Sequence, residues 1–340
     1  MKLLAVKTEF VRQTVLMFIG ISLFNFLNFL YNLFMVRYLS PIDYGHLNSL
    51  LAFFMVISVP ANTVQTAITR FVSPLYAQGE YGHIKGLLRH FLIVISIVAF
   101  IFFVLISMAS PLISSFLQIP SNIVVILLGI SLLFAMVNPV PLGGLQGLQR
   151  FGSFALNLII NGGLNLALGI AFIFWGLRVL GAVSAIAIAY FITFILSLFM
   201  LACYLPKTRP SAHQGEDVLG DSRSPFSGTY YYFFSVGITL LCFMILTNID
   251  LLLIKHYFSP IEAGYYSIAQ LVGKIILYLP YPIVMVMFPK LVSSENDQRG
   301  TPLILTQSLL ISLFLCGGAV LFSFFFPSLL LRILSGKIYF

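Results

Sequence analysis

The side chains able to do chemistry in this chain of 340 residues are few, and most stand in apolar surroundings. Asp250 lies in Asn248-Ile249-Asp250-Leu251-Leu252, towards the end of one long apolar run, and Lys274 lies midway through the next. A charge at the centre of a hydrocarbon layer costs on the order of 2.5–3.5 kcal/mol on insertion scales, so each needs a partner or a purpose. Counted as helices from the turn near Pro260, the two reach similar depths on neighbouring elements. They could form a structural ion pair, or Lys274 could snorkel. Alternatively Asp250 could hold a proton or cation and Lys274 could contact an anion. Two asparagine stripes accompany them. Asn25, Asn28 and Asn32 share one helix face, as do Asn157, Asn161 and Asn165, with Gly162 and Gly163 beside the second stripe. Amides facing lipid would lack partners. Both stripes therefore face protein, as interhelical hydrogen bonds, or line a wet cavity able to meet a hydroxyl-rich or ionic substrate.

The elements that carry these residues follow from composition. Hydrophobic residues make up 60% of the chain and charged ones 8%, against about 25% charged in soluble domains. Mean hydropathy is +1.04. Such a chain cannot keep a polar exterior, and its apolar residues come in runs long enough to cross a bilayer at about 20 helical residues each. Spans are expected at about 14–36, 45–68, 91–110, 122–142, 153–175, 180–204, 229–254, 264–288 and 302–326. They read as helices because barrel strands are short alternating segments. The first run exceeds the apolar region of a signal peptide and has no clear cleavage site after it. The expected fold is an all-α polytopic membrane protein of about nine transmembrane helices.

Lys and Arg set the expected orientation. With a cytoplasmic N-terminus, the cytoplasmic segments hold Lys2, Lys7, Arg12, Arg70, Lys85, Arg89, Arg150, Lys207, Arg209, Arg223, Lys290 and Arg299. The opposite side holds Arg37, Arg178, Lys255, Arg332 and Lys337. The bias fits the positive-inside rule, so the net charge of +8 reads as topology and not as a nucleic-acid footprint. Cys203, Cys242 and Cys316 have no metal or redox spacing, and His46, His83, His90, His213 and His256 are scattered. With no nucleotide, hydrolase or metalloprotease motif, neither an enzyme nor a cofactor is expected.

The chain also repeats itself. Tyr38-Leu39-Ser40-Pro41-Ile42-Asp43-Tyr44-Gly45 recurs as Tyr257-Phe258-Ser259-Pro260-Ile261-Glu262-Ala263-Gly264, at an offset of 219. Arg70-Phe71-Val72-Ser73 matches Lys290-Leu291-Val292-Ser293 at almost the same offset, and Ser110-Pro111-Leu112 matches Phe326-Pro327-Ser328 more weakly. Three matches in order argue for duplication. Six spans separate the copies, so the repeat is parallel, an arrangement used by transporters that bind substrate between halves. The expected organisation is a six-helix lobe over 1–205, a polar cytoplasmic linker over 206–228 and a partial second lobe over 229–340. Three spans fit after the linker, and the offset maps Phe340 onto Ser121. A second lobe lacking about three helices is therefore expected, as in a fragment or interrupted gene, or else a natural short form completed by a partner, unable to complete a cycle alone.

Tyr38 to Gly45, Gly147-Leu148-Gln149-Arg150-Phe151 and Asn248-Ile249-Asp250-Leu251-Leu252-Leu253-Ile254 together resemble the polysaccharide transporter family. That family lies in the multidrug/oligosaccharidyl-lipid/polysaccharide exporter superfamily, and the resemblance runs along essentially the whole chain. It implies a bacterial or archaeal protein of the cytoplasmic membrane. Such a protein flips polyprenyl-pyrophosphate-linked oligosaccharide by alternating access and works beside other glycan-assembly membrane proteins. It further implies Lys274 and Arg150 as contacts for a pyrophosphate or acidic sugar, and Asp250 as an ion-coupling residue. The first lobe has no mid-membrane cation to match Lys274. The alternatives are a multidrug or cation antiporter of the same superfamily, a membrane-embedded glycan polymerase or glycosyltransferase, and a non-transporting remnant. The short external loops argue against the polymerase or glycosyltransferase.

Overall fold

The computed structural model describes residues 2–205, 226–280, 283 and 300–327, with 329, 330, 332 and 336 beyond. Thirteen helices are named within it, and no strand occurs among the described residues. They are α1 (Lys2–Tyr38), α2 (Pro41–Ile57), α3 (Val59–Gln78), α4 (Tyr81–Met108), α5 (Ser110–Phe116), α6 (Asn122–Val137), α7 (Pro139–Gly147), α8 (Phe151–Phe174), α9 (Arg178–Tyr204), α10 (Phe226–Leu246), α11 (Ile249–Tyr257), α12 (Pro260–Tyr278) and α13 (Gly300–Phe325). Among the described residues, six helical stretches are long and apolar enough to cross a membrane. Counting the bent pairs α2–α3 (42°) and α10–α11 (43°) as one span each raises this to eight. The remaining expected span, 264–288, is represented by α12 as far as Tyr278, and most of its remainder lies outside the described residues. So does most of the expected linker, residues 206–225.

Local chemistry accounts for the bends. Pro60 opens α3 and cannot donate to the preceding turn, and the Ser58 hydroxyl turns back to the Met55 carbonyl at 3.2 Å. At the second bend, the Asn248 amide donates to the Met244 carbonyl at 2.9 Å and the Thr247 hydroxyl to the Phe243 carbonyl at 2.9 Å. The Asn248 backbone amide donates to the Ile245 carbonyl instead of that of Met244, and its side chain takes up the carbonyl so released.

The first six spans form one packed body. α1 lies on α8, α8 on α9, α9 on α6 and α6 on α4, while α3 packs on α7. Large apolar side chains face outward, including Ile97, Phe100 and Ile101 on α4 and Leu309, Leu313 and Phe314 on α13. A monomer in water rarely exposes such surface, whereas a lipid-facing one must.

The later segment docks on α2 and α3: α12 and α11 lie along α2, and α10 lies along α3. The two copies of the repeated turn meet at the centre of this seam. Ser40 accepts from the Asp43 amide, and Ser259 accepts from the Glu262 amide. Glu262 closes a full capping box, and the Ser259 hydroxyl and amide hold its carboxyl below the usual carboxylate range. Each cap turns its helix so that equivalent glycines touch. A Cβ on Gly45 would stand 2.9 Å from the Gly264 Cα, and one on Gly264 would collide with the Pro41 carbonyl. The two copies of the repeated turn thus lie directly against each other. A bulky residue here must overpack the seam. Gly264→Leu is expected to destabilise the protein by about 1–3 kcal/mol in detergent unfolding. Gly273→Ala on the same helix, where a Cβ meets open space, should be neutral or slightly stabilising.

Candidate functional site

A polar network grows from α11 and α12 beside the seam. Asp250 sits in the first turn of α11, just past the bend. Its carboxylate accepts from the Tyr266 hydroxyl at 2.6 Å and from the Gln270 amide at 3.1 and 3.2 Å. Gln270 in turn accepts from the Asn48 amide of α2 at 3.2 Å, which carries the network into the other half. Lys274 donates to the Asn248 side-chain oxygen at 3.2 Å. Asp250 and Lys274 form no ion pair in the structure. They are near enough for their charges to interact, with Asn248 and Gln270 holding each in place. Carboxylate, phenol, amides and ammonium here form a half-buried chain, suited to exchanging a proton or cation at Asp250 and meeting an anion at Lys274.

Tyr266, Gln270 and Asn48 are absent from the sequence-based site. Their signal was present: Tyr266, Gln270 and Lys274 recur every four residues, a polar stripe like those of the asparagines. Lys255 is a correction. The charge count set it among loop residues of the outer side, but its side chain is 0% exposed, in α11 where that helix packs on α2. Its ammonium has no hydrogen-bond partner among the described residues, and neither has Nδ1 of the nearby His46. Beyond Lys255, the Gln118 amide donates to the His256 carbonyl at 3.1 Å, and His256 stacks on Phe116, which ties α11 to the turn after α5.

The other expected site residues fall elsewhere. The Asn157 amide donates to the Thr193 carbonyl at 2.8 Å and the Asn161 amide to the Thr193 hydroxyl at 3.1 Å, and Asn165 is buried on the same face. The α8 stripe thus lies in the seam with α9. Asn25 is exposed, while Asn28 and Asn32 are half-buried and donate to carbonyls of their own helix, Phe24 at 3.0 Å and Asn28 at 2.9 Å. Arg150 is exposed at the start of α8, its guanidinium 4.6 Å from the Tyr204 ring centre, and shares no contact with the Asp250 network.

Fold and site together define a multi-pass helical membrane protein with a polar network beside the contact between the two copies of the repeated turn. The chain belongs to the polysaccharide biosynthesis protein family, whose model matches residues 10–295. No curated protein matches it significantly. Among solved structures it is similar to a multidrug resistance MATE family transporter of the MOP superfamily in an inward-facing conformation, with TM-score 0.69 and 15% identity, covering 93% of this chain and 72% of the other. It is also similar to a MATE in complex with MaD5, with TM-score 0.52 and 16% identity over 94% and 79% of the two chains. A MOP superfamily transporter from Pyrococcus furiosus, described as having a binding pocket of reversed polarity, matches with TM-score 0.50 and 15% identity over 90% and 78%.

The hydrogen bonds around Asp250 give a quantitative expectation. In a double-mutant cycle with Asp250→Asn and Gln270→Leu, followed by unfolding in detergent, the coupling should be about 1–3 kcal/mol. Asp250→Asn with Lys274→Gln should couple more weakly, because no direct bond joins them. Additivity within about 0.5 kcal/mol for the Gln270 pair would show that the network does not hold Asp250.

Proposed function

We propose that this protein moves a lipid-linked oligosaccharide across the cytoplasmic membrane by alternating access, and that it is a transporter and not an enzyme. The observation that carries the reading is the Asn48–Gln270–Asp250 chain, with Lys274 beside it, half-buried at the junction of the two halves of a polysaccharide biosynthesis family member. A junction that transmits rocking and also holds a titratable acid can link ion movement to opening. Lys274 is the contact for the pyrophosphate, and the amides of Asn25, Asn28 and Asn32 face the glycan. Asn157, Asn161 and Asn165 support this wall from within. Arg150, at the opposite end from the repeated turns, meets the anionic head group on entry. Asp250 binds the coupling proton or cation. The described contacts between halves cluster towards the repeated turns, through Gly45 with Gly264, Asn48 with Gln270 and Gln118 with His256. With the N-terminus in the cytoplasm, these turns lie outside and the state is closed outward.

The Asp250 site also favours a second reading, export of a drug-like cation against protons or sodium. The two separate in reconstituted vesicles. The flippase reading expects transfer of a fluorescent polyprenyl-pyrophosphate glycan, with Lys274→Gln lowering it at least tenfold while folded yield holds. Transport of a lipophilic cation abolished by Asp250→Asn, with no glycan transfer, would establish the antiporter instead.

The topology has its own check. On a background with Cys203, Cys242 and Cys316 replaced by Ala, a cysteine at Ser259 should label from outside intact cells, and one at Gly152 only after permeabilisation. Labelling of both from outside would reject the orientation.

A further inference from the structure

On the first half, a furrow runs between α4 and α9 with the broken α6–α7 pair as its floor. Two cavities lie along it. The first, about 380 Å³, is lined by Lys85, Leu88 and Arg89 of α4, Val140 and Pro141 of α7 and the end of α9 around Leu201 and Ala202. The second, about 430 Å³, continues in the same direction on all three elements, through Ile97 and Phe100 of α4, Leu133 and Phe134 of α6 and Phe194 of α9. Pro139 and Pro141 interrupt the floor. Gly144 lets Leu88 and Leu201 close in, each 3.1 Å from where its Cβ would stand. One end of the furrow therefore carries two cations one helical turn apart, and the rest is almost wholly apolar.

We infer that this furrow is a binding site for an anionic phospholipid of the leaflet at the Lys85 end, with the phosphate between Lys85 and Arg89 and an acyl chain along Ile97, Phe100 and Phe194. Charge complementarity selects the occupant. Neither cation has an ion pair or hydrogen bond among the described residues, and no acid lines either cavity. Glu80, the acid nearest along α4, is held by His83 at 3.0 Å. Length agrees as well: Lys85 to Ile101 spans about 24 Å of helix, close to the ~20–22 Å of one leaflet with its headgroup region. Basic pockets between membrane helices favour such head groups. The furrow's lining comes from α4, α6, α7 and α9, and none from α2, α3 or the later helices that make the junction. The lipid is thus a resident of the first half and not cargo, and the inference depends on the protein being membrane-embedded but not on its substrate.

The test is titration of delipidated, full-length protein with phosphatidylglycerol or phosphatidylcholine in mixed micelles, read by native mass spectrometry and by thermal unfolding. Saturable phosphatidylglycerol binding that raises Tm is expected, with little effect of phosphatidylcholine. At about fivefold per cation, the double variant Lys85→Gln/Arg89→Gln should bind phosphatidylglycerol about twenty-fivefold more weakly. Arg178→Gln, on the opposite end of the bundle, should change nothing. If the double variant does not fold, Ala202→Trp fills the furrow with its charges intact, and weaker binding is again expected. Equal binding of both lipids, undiminished phosphatidylglycerol binding in these variants, or its displacement by polyprenyl-pyrophosphate glycan would overturn the inference.

Discussion

The close approach of Gly45 and Gly264 is the contact on which the architecture turns. Both glycines follow a Ser-Pro cap by five residues, so identical local chemistry delivers them to the same height in their helices. With no Cβ between them, α2 and α12 can approach to backbone distance. In a membrane that matters more than in water, because lipid supplies no hydrophobic drive between helices and association depends on close packing and hydrogen bonds. Ile268 and Leu271 of α12 consequently share a buried core with Tyr31, Met35, Leu47 and Leu50 of the first half.

Close packing at one point lets polar groups be buried beside it. Asp250 would be costly in hydrocarbon on its own. It is retained because the α10–α11 bend places it at a helix N-terminus, where the dipole favours negative charge, and because Tyr266 and Gln270 donate to it. Gln270 keeps its other partner across the junction, in Asn48. Parting the halves thus breaks a bond to the residue that holds the acid. The energy of Asp250 and the geometry of the junction are joined by two hydrogen bonds, a short mechanical path.

Much of this was readable from residue order. Runs of apolar residues revealed the helices, and the Tyr-x-Ser-Pro-Ile repeat pointed to a duplication before any contact between its copies was visible. Bends were partly legible: Pro60 marks one, but the Asn248 bend has no proline and depends on side chains recovering freed carbonyls. Charge counting misplaced Lys255, because it treats a residue near a turn as loop, whereas the face of α11 that packs along α2 buries Lys255 even in the last turn. For the asparagines, period alone could not decide between cavity and seam. Thr193 decides for Asn157 and Asn161, and it lies more than thirty residues away on another helix.

The distribution of contacts also constrains how the halves can move. The first half is cross-braced, with every span packed on at least one other within it. Among the described residues the later helices reach it chiefly through α2 and α3, a bent pair whose hinge at Ser58–Pro60 lies between the glycine contact and the packing of Thr63 against Gly237, with a further tie from His256 to Phe116 and Gln118. A rigid body joined to its neighbour chiefly along one bent element has an obvious axis. Rocking about α2 preserves the α1–α8–α9 and α4–α6 packing and changes only the seam. The low-cost motion therefore opens or closes a cleft between halves, and the acid and lysine beside that seam are the charges such a motion would move between environments.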